Sequence, residues 1–406
     1  MAALKRLETV RPNLAVRPHG DRAGGEASLQ SKKFHLQVKG FGAPGCGQLV
    51  YVGGLLMPRI ANMARRMAAA ATAACTLAGG PPPAAAQEAL NAAVIFAYHR
   101  FGENDVPSTN IRLEQFEAHI EELRTGGYTV LPLPEIVAAM EEGRALPDRT
   151  VAITIDDAYL TVYTEAWPRL RDAGFPFTVF VATNIVDAGG GGRYMNWDQI
   201  RDLEAAGATI GSHSAEHGHY PEMTDAEIAN DIARSGASFE RELGKRPALF
   251  AYPYGEMSLA ARQAVKEAGY SAAFGQHSGV AEAGLDRLYL PRFPLNEKYG
   301  SLSRFVLDAN ALPLGAREIA PADPVLVVNP PLFGFTVVKG VDGLDRLNCF
   351  PSPGATVAPL ERLGERRFEV RLGTQFPPGR ARFNCTAPTD DGRWRWFGFQ
   401  FYVPRP

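Results

Sequence analysis

Between Ala92 and about Leu295, two kinds of apolar pattern alternate along the chain. Short blocks rich in β-branched and aromatic residues read as strands at 93–98, 150–155, 177–182, 208–211, 248–251, 271–274 and 287–290. Between them the apolar residues recur at helical spacing, over 113–123, 133–142, 161–173, 196–206, 224–243 and 259–268. Start and stop signals fit these limits. Asn196 is placed to cap one helix, Thr224-Asp-Ala-Glu227 is a capping box, and Gly126-Gly127, Gly174 and Gly207 stand at helix ends. Strands alternating with helices predict a mostly parallel sheet, and about seven such units predict a closed or nearly closed (β/α) barrel.

The pattern changes after about residue 300. Proline-rich turns separate short apolar runs at 325–328, 335–338, 367–371, 381–385 and 396–402. These predict a small all-β, sandwich-like domain over 320–406. The aromatic run 394–402 reads as the core and face of that sandwich rather than as a sugar platform.

Composition changes the picture mainly at the N-terminus. Met63-Ala-Arg65-Arg66 is basic, the following stretch to Ala78 is apolar and small, and Ala84-Ala85-Ala86 precedes Gln87. That order predicts a signal peptide over 63–86, cut after Ala86. Residues 1–62 are Gly-rich and basic without periodicity, and are expected to be a non-native or disordered extension, with translation starting at Met57 or Met63. Residues 1–86 hold 11 of the 42 Lys and Arg and 3 of the 44 Asp and Glu, which leaves 31 and 41 and a formal charge of −10 from residue 87 onward. An acidic exported chain is a poor partner for nucleic acid. The apolar run before the cut is too short to span a bilayer, and no other stretch is apolar enough. Of four cysteines, only Cys349 and Cys385 lie beyond the cut, and a disulfide between them is expected in an oxidising compartment. The expected location is therefore periplasmic or extracellular.

The candidate chemistry sits at strand ends. Asp156-Asp157 closes the 150–155 run, and His213-Ser-Ala-Glu-His217 follows another apolar run. One carboxylate and two imidazoles make three ligands for a divalent metal, with a position left open. The other carboxylate is then free to act as a base. Each pair also has a plainer reading, as a helix cap with a solvated neighbour or as two histidines sharing a helical face. His219 could replace His217, although i to i+4 brings two imidazoles to one face better than i to i+6. His99, Pro253-Tyr254-Gly255 and Arg292 also follow strand runs. All would then lie at the carboxyl ends of barrel strands, where barrel enzymes carry their chemistry.

Over roughly 92–295 these residues resemble the polysaccharide deacetylases of carbohydrate esterase family 4. Thr154-Ile-Asp-Asp157 is similar to that family's Thr-Phe-Asp-Asp-Gly motif, His213-Ser-Ala-Glu-His217 to its His-Ser/Thr-x-x-His motif, and Ala251-Tyr-Pro-Tyr-Gly255 to its third. The resemblance implies a distorted barrel and a divalent metal, zinc foremost, held by Asp157, His213 and His217. It implies Asp156 as general base, the backbone N–H of Tyr254 as oxyanion donor, and Pro253, Tyr254 and Gly255 as substrate-binding. Three departures stand out. Ala158 replaces a usual Gly, Ala251 replaces an Arg that orients the base in many members, and the late Leu-x-x-His motif is missing. Arg292 is the candidate for the missing charge. His99, in Ala97-Tyr98-His99, resembles the early Tyr-His of the permuted exopolysaccharide deacetylases and is the candidate proton donor, with His277 as a weaker alternative.

The function implied is metal-dependent hydrolysis of N-acetyl groups from amino sugars of a polysaccharide, releasing acetate. The competing readings are a glycan-binding protein on the same fold and a barrel hydrolase of small cyclic amides. Nothing in the sequence sets the oligomeric state.

Overall fold

The computed structural model describes residues 91–354 and 356–405, and these fall within one compact unit. The expected extension, the signal peptide with its cut, Cys46 and Cys75 lie outside the described residues.

Six parallel strands lie side by side in chain order: Ala92–Tyr98, Thr150–Asp156, Thr178–Val181, Thr209–Ser212, Leu249–Ala251 and Ala272–Phe274. Every residue of the first two is buried. Helices cover one face and the barrel interior fills the other, so these strands read as continuous apolar runs rather than alternating ones. Between the later strands run the helices Trp197–Ala205, Asp225–Leu243 and Leu259–Glu267. Their starts are fixed by the side chains of Asn196, Thr224 and Ser258, which accept backbone N–H bonds from three residues on.

Two expectations fail locally. The 161–173 helix begins as a π-turn, Val162–Ala166, and becomes α-helical only over Trp167–Ala173. Pro168 has no N–H to donate backward, and Trp167 instead bonds the Val162 carbonyl five residues back. The 287–290 segment is not a strand. Asp286 accepts the Leu288 N–H and starts a 3₁₀ turn over Arg287–Tyr289, and Pro291 then interrupts any ladder. Closure of the barrel is correspondingly irregular. Leu290 makes a single bridge to Phe274, and the two-residue strand Phe293–Pro294 pairs with Phe96 and Ala97 of the first strand.

Beyond the barrel, two four-stranded sheets pack through aromatic rings. One orders Leu312–Pro313, Trp394–Val403, Gly379–Pro388 and Asn348–Ser352; the other orders Ala316–Ala320, Phe333–Val337, Arg367–Val370 and Leu360–Leu363. Phe333 stands 4.6 Å from Phe383 and 5.4 Å from Phe401 across the interior. The Cys349–Cys385 disulfide forms, joining residues directly opposite each other on neighbouring strands of one sheet. The expected strand at 325–328 does not. Val325 makes one bridge to Tyr402, while Val327 and Val328 are exposed, because Asn329-Pro330-Pro331 cuts off the supply of N–H donors.

Strand Trp394–Val403 joins the two parts. Phe397, Phe399 and Phe401 face the aromatic interior. The alternate residues meet the barrel. Trp396 packs edge-on against Phe293 at 5.2 Å, and Gln400 donates to the Tyr254 carbonyl at 3.2 Å. Tyr402 hydrogen-bonds Glu222. Between them Gly398 is required by close approach, since a Cβ there would lie 1.9 Å from the Ser278 carbonyl oxygen.

Candidate active site

The strand Thr150–Asp156 delivers two carboxylates to different places. Asp156 ends the strand, fully buried. Asp157 and Ala158 have φ of 72° and 57°, so the chain turns sharply and swings the Asp157 carboxylate aside.

Arg292 grips Asp156 with two parallel bonds, Nη1 to Oδ1 at 2.7 Å and Nη2 to Oδ2 at 2.8 Å. Its Nη1 also donates to Thr154 Oγ1 at 3.0 Å and its Nε to the Gly275 carbonyl at 2.9 Å. The guanidinium is thus fixed by groups on two other strand ends. Burial alone would raise the Asp156 pKa, but the charge of Arg292 and its hydrogen bonds to the carboxylate outweigh it and hold the carboxyl below its usual range. Asp156 is therefore ionised at neutral pH, as a base must be.

Asp157, His213 and His217 converge, with one donor atom from each lying within 4.8 Å of the others. The separations are 3.4 Å from Asp157 Oδ1 to His213 Nε2, 3.2 Å from Oδ1 to His217 Nε2, and 3.2 Å between the two Nε2 atoms. Tetrahedral ligands with bonds of about 2.1 Å stand about 3.4 Å apart, so the spacing suits a divalent ion. The donor chemistry fits as well. His213 Nδ1 lies 2.7 Å from the Ala251 carbonyl, which can only accept, so the proton belongs there and the Nε2 lone pair faces the cluster. Asp157 Oδ1 is buried with no hydrogen-bond partner. Burial works to raise the Asp157 pKa, but the two imidazoles outweigh it and hold the carboxyl well below its usual range.

The imidazoles do not meet through a helix, as the i to i+4 spacing suggested. Residues 213–219 form a loop in which Ser214 and His217 have φ of 71° and 56°. Ser214 Oγ accepts the His217 N–H at 2.9 Å. Asp231, buried on the helix Asp225–Leu243, accepts the N–H groups of Ala215 and Glu216 and the hydroxyl of Tyr220. Its sequence signal was a carboxylate on the apolar face of an amphipathic helix. His219 is turned away, with Nδ1 2.7 Å from Glu256 and its ring stacked on Tyr254 at 4.1 Å.

His99 comes to the same face. Its Nε2 is 3.8 Å from Asp156 Oδ2, and Gln276 Nε2 lies 3.4 Å from that nitrogen and 3.3 Å from the carboxylate. Burial lowers the His99 pKa, against the opposing pull of Asp157 and Asp156. His277 is elsewhere, buried in the seam with the C-terminal sheet, 4.5 Å from Tyr289 and 6.3 Å from Phe399. Pro253–Gly255 forms a 3₁₀ turn in which Tyr254 has φ 57° and its ring lies 4.5 Å from His217. Gly255 must be Gly, since a Cβ would fall 2.3 Å from Gln276 N. Gln276 and Gln400, which brace Asp156 and this turn, carried no sequence signal.

Fold and site together define a (β/α) barrel that brings a two-His, one-Asp cluster able to hold a cation beside a buried, Arg-clamped carboxylate. Residues 143–273 match the family model described as polysaccharide deacetylase, and the chain carries that domain. YxkH of Bacillus subtilis (strain 168), whose name places it among the polysaccharide deacetylases, is 24% identical over 187 residues, 46% of this chain and 65% of that protein. The chain thus spans just under two thirds of that relative's length. The poly-beta-1,6-N-acetyl-D-glucosamine N-deacetylase of Staphylococcus aureus (strain MRSA252) is 24% identical over 216 residues, 50% of this chain and 73% of that one. The solved Streptococcus pyogenes deacetylase PplD in complex with acetate shares the fold, with a TM-score of 0.50 at 19% identity over 53% of this chain and 96% of that chain.

Proposed function

We propose that this chain is a metal-dependent N-deacetylase that cleaves acetamide groups of amino sugars within a polysaccharide, yielding acetate and a free amine. The observation that carries this is the pairing of two unlike sites on adjacent residues: an Arg292-clamped carboxylate at Asp156 and a two-imidazole cation site at Asp157. The relatives' names support the substrate class.

Asp157, His213 and His217 would hold the ion, zinc being the expected one. When bound there, a divalent ion supplies Lewis-acid polarisation of the acetyl carbonyl and a more acidic water. The chain does the rest. Asp156, kept ionised and oriented by Arg292, takes a proton from the attacking water. The water oxygen bonds to the acetyl carbon. The Tyr254 N–H donates to the oxygen that gains charge. His99 gives a proton to the amine nitrogen as the C–N bond breaks. Pro253 and Gly255 shape the wall beside the substrate.

The basic–apolar–small order of 63–86 and the Cys349–Cys385 bridge support export to the periplasm or beyond, with Gln87 as the mature N-terminus. Among the described residues no helix is long and apolar enough to cross a membrane. The test is acetate release from a panel of N-acetylated oligosaccharides, before and after chelation and on adding back zinc. Release that chelation abolishes and zinc restores is expected. Absence of release from every glycan, with the protein folded and metal-loaded, overturns the reading.

A further inference from the structure

The sheet that braces the barrel carries a second set of residues with no part in the proposed chemistry. On the strand Gly379–Pro388, Ala381, Phe383, Cys385 and Ala387 are buried in the aromatic interior. Alternation places Arg382, Asn384 and Thr386 on the other face. Phe350 lies opposite Asn384 in register and shares that face. Together with the loop after Phe293–Pro294 and the helix Leu302–Ala309, this face bounds a groove of about 710 Å³.

Two properties of the groove point to its occupant. It shows aromatic surface, with Tyr299 44%, Trp394 37% and Phe350 36% exposed. Flat rings of this kind stack on the apolar faces of sugars. It is also cationic. Its charged residues are Lys298, Arg304 and Arg382, and no carboxylate among the described residues lines it. Arg304 is matched by Asp308 at 2.8 Å. Arg382 is not matched. Its Nε donates to the neutral Gln400 Oε1 at 2.8 Å, and no carboxylate among the described residues pairs with it. Burial, together with the nearby charge of Arg380, lowers its pKa to about 10, so it stays charged at neutral pH. Lys298 is exposed, 5.3 Å over the Tyr299 ring. A half-buried guanidinium that feels Glu256 only at a distance, that carboxylate being held by His219, has lost hydration and gained little in return. A carboxylate would meet its planar fork with two bonds.

The groove adjoins the catalytic face. Arg382 faces Gln400 across the ladder, and Gln400 bonds the Tyr254 carbonyl. Lys298 and Tyr299 follow the closing strand, whose partner ends at Tyr98, just before His99.

We infer that this groove holds the continuation of the polysaccharide whose N-acetyl group lies in the site, and that the sugar beside Arg382 and Lys298 carries a carboxylate. The preferred substrate is then an N-acetylated polymer interspersed with uronate residues rather than a neutral one. The inference rests on the deacetylase reading for its link to the site, but the binding step can be measured without turnover.

The test uses hyaluronan oligosaccharides, in which N-acetylglucosamine alternates with glucuronate, and the same oligosaccharides with their carboxyls reduced to alcohols. Calorimetry on the Asp156→Asn protein should show the acidic form binding about tenfold or more tightly, the scale of a charge-assisted bidentate contact. Added salt should narrow the gap, and Arg382→Gln should close it. Lys298→Gln, an exposed change that leaves the Gln400 contact intact, should narrow it by about threefold, the scale of an exposed ion pair. Equal affinity for the two forms overturns the inference, as does a gap that survives in both variants. Acetate release from neutral oligosaccharides without preference for the acidic ones would sink the groove and leave the deacetylase standing. Carboxylate-dependent binding with no acetate from either would uphold the groove and count against the activity.

Discussion

In the barrel, the strand Thr150–Asp156 is buried along its whole length and spends its polarity at one end, where Asp156 meets Arg292. In the C-terminal sheets, the strand Trp394–Val403 is polar and apolar by turns, one face in an aromatic core and the other against the barrel. The barrel therefore concentrates its chemistry at strand ends, held by a buried ion pair. The sheet spreads its contribution along a face, through Gln400 at the mouth and Trp396 deeper down. Damage to the first should unfold or inactivate the protein. Damage to the second should detune it.

The largest effect is expected from Arg292→Met. It leaves Asp156 buried without its partner, and breaking such a pair costs about 3–5 kcal/mol. Urea unfolding should register that loss, and a loss under ~1 kcal/mol would mean that the ion pair does not hold the barrel end together.

His277 sharpens the comparison because it lies in the seam between the two parts. Burial lowers its pKa to about 3, and its Nδ1 has no hydrogen-bond partner. An unfolded histidine titrates near 6.5, so below that pH the unfolded chain takes up a proton that the folded one refuses. Stability is full above about pH 6.5 and falls as the pH drops toward 3. His119, lowered to about 4, behaves alike where it is buried between Tyr98 and Phe305 of the helix Leu302–Ala309. His277→Phe suits a pocket of Tyr289 and Phe399, and should remove about 2 kcal/mol of the stability lost between pH 7 and pH 5. Unchanged pH dependence in this variant would show that the seam does not exclude the proton.

The smallest effect concerns Gln400→Leu, which strips the Tyr254 carbonyl and Arg382 Nε of their partner. As a positioning change it should lower kcat by about tenfold, near the free energy of one lost hydrogen bond, with little change in KM. A loss confined to KM would place Gln400 in substrate binding instead.

These residues differ in how far the sequence announces them. The barrel strands were legible because burial on both faces leaves continuous apolar blocks, and the helix starts because Asn196 and Thr224 cap locally. Asp157, His213 and His217 were legible as a set, but the shape of the 213–217 loop was not. It depends on two residues at positive φ and on Asp231, a contact across the fold. Arg292 could be named as a candidate, while its four bonds to Asp156, Thr154 and Gly275 depend on barrel closure by strands of one or two residues. Gln276 and Gln400 were silent, since an amide in a loop or a strand carries no pattern of its own. In the C-terminal part, short strands such as Leu312–Pro313 and the half-exposed Leu360–Leu363 offer too little periodicity to read, whereas the aromatic strand Trp394–Val403 offers enough.

The division of labour between Asp156 and Asp157 is most directly tested by Asp156→Asn, measured at once for metal content and for acetate release from an N-acetylated oligosaccharide, beside the His213→Ala/His217→Ala double variant. Asp156→Asn should keep about one divalent ion per chain and lose about 10²-fold or more in turnover, while the double variant should lose the ion. Near-normal turnover in Asp156→Asn, or equal metal in the double variant and the wild type, would contradict it.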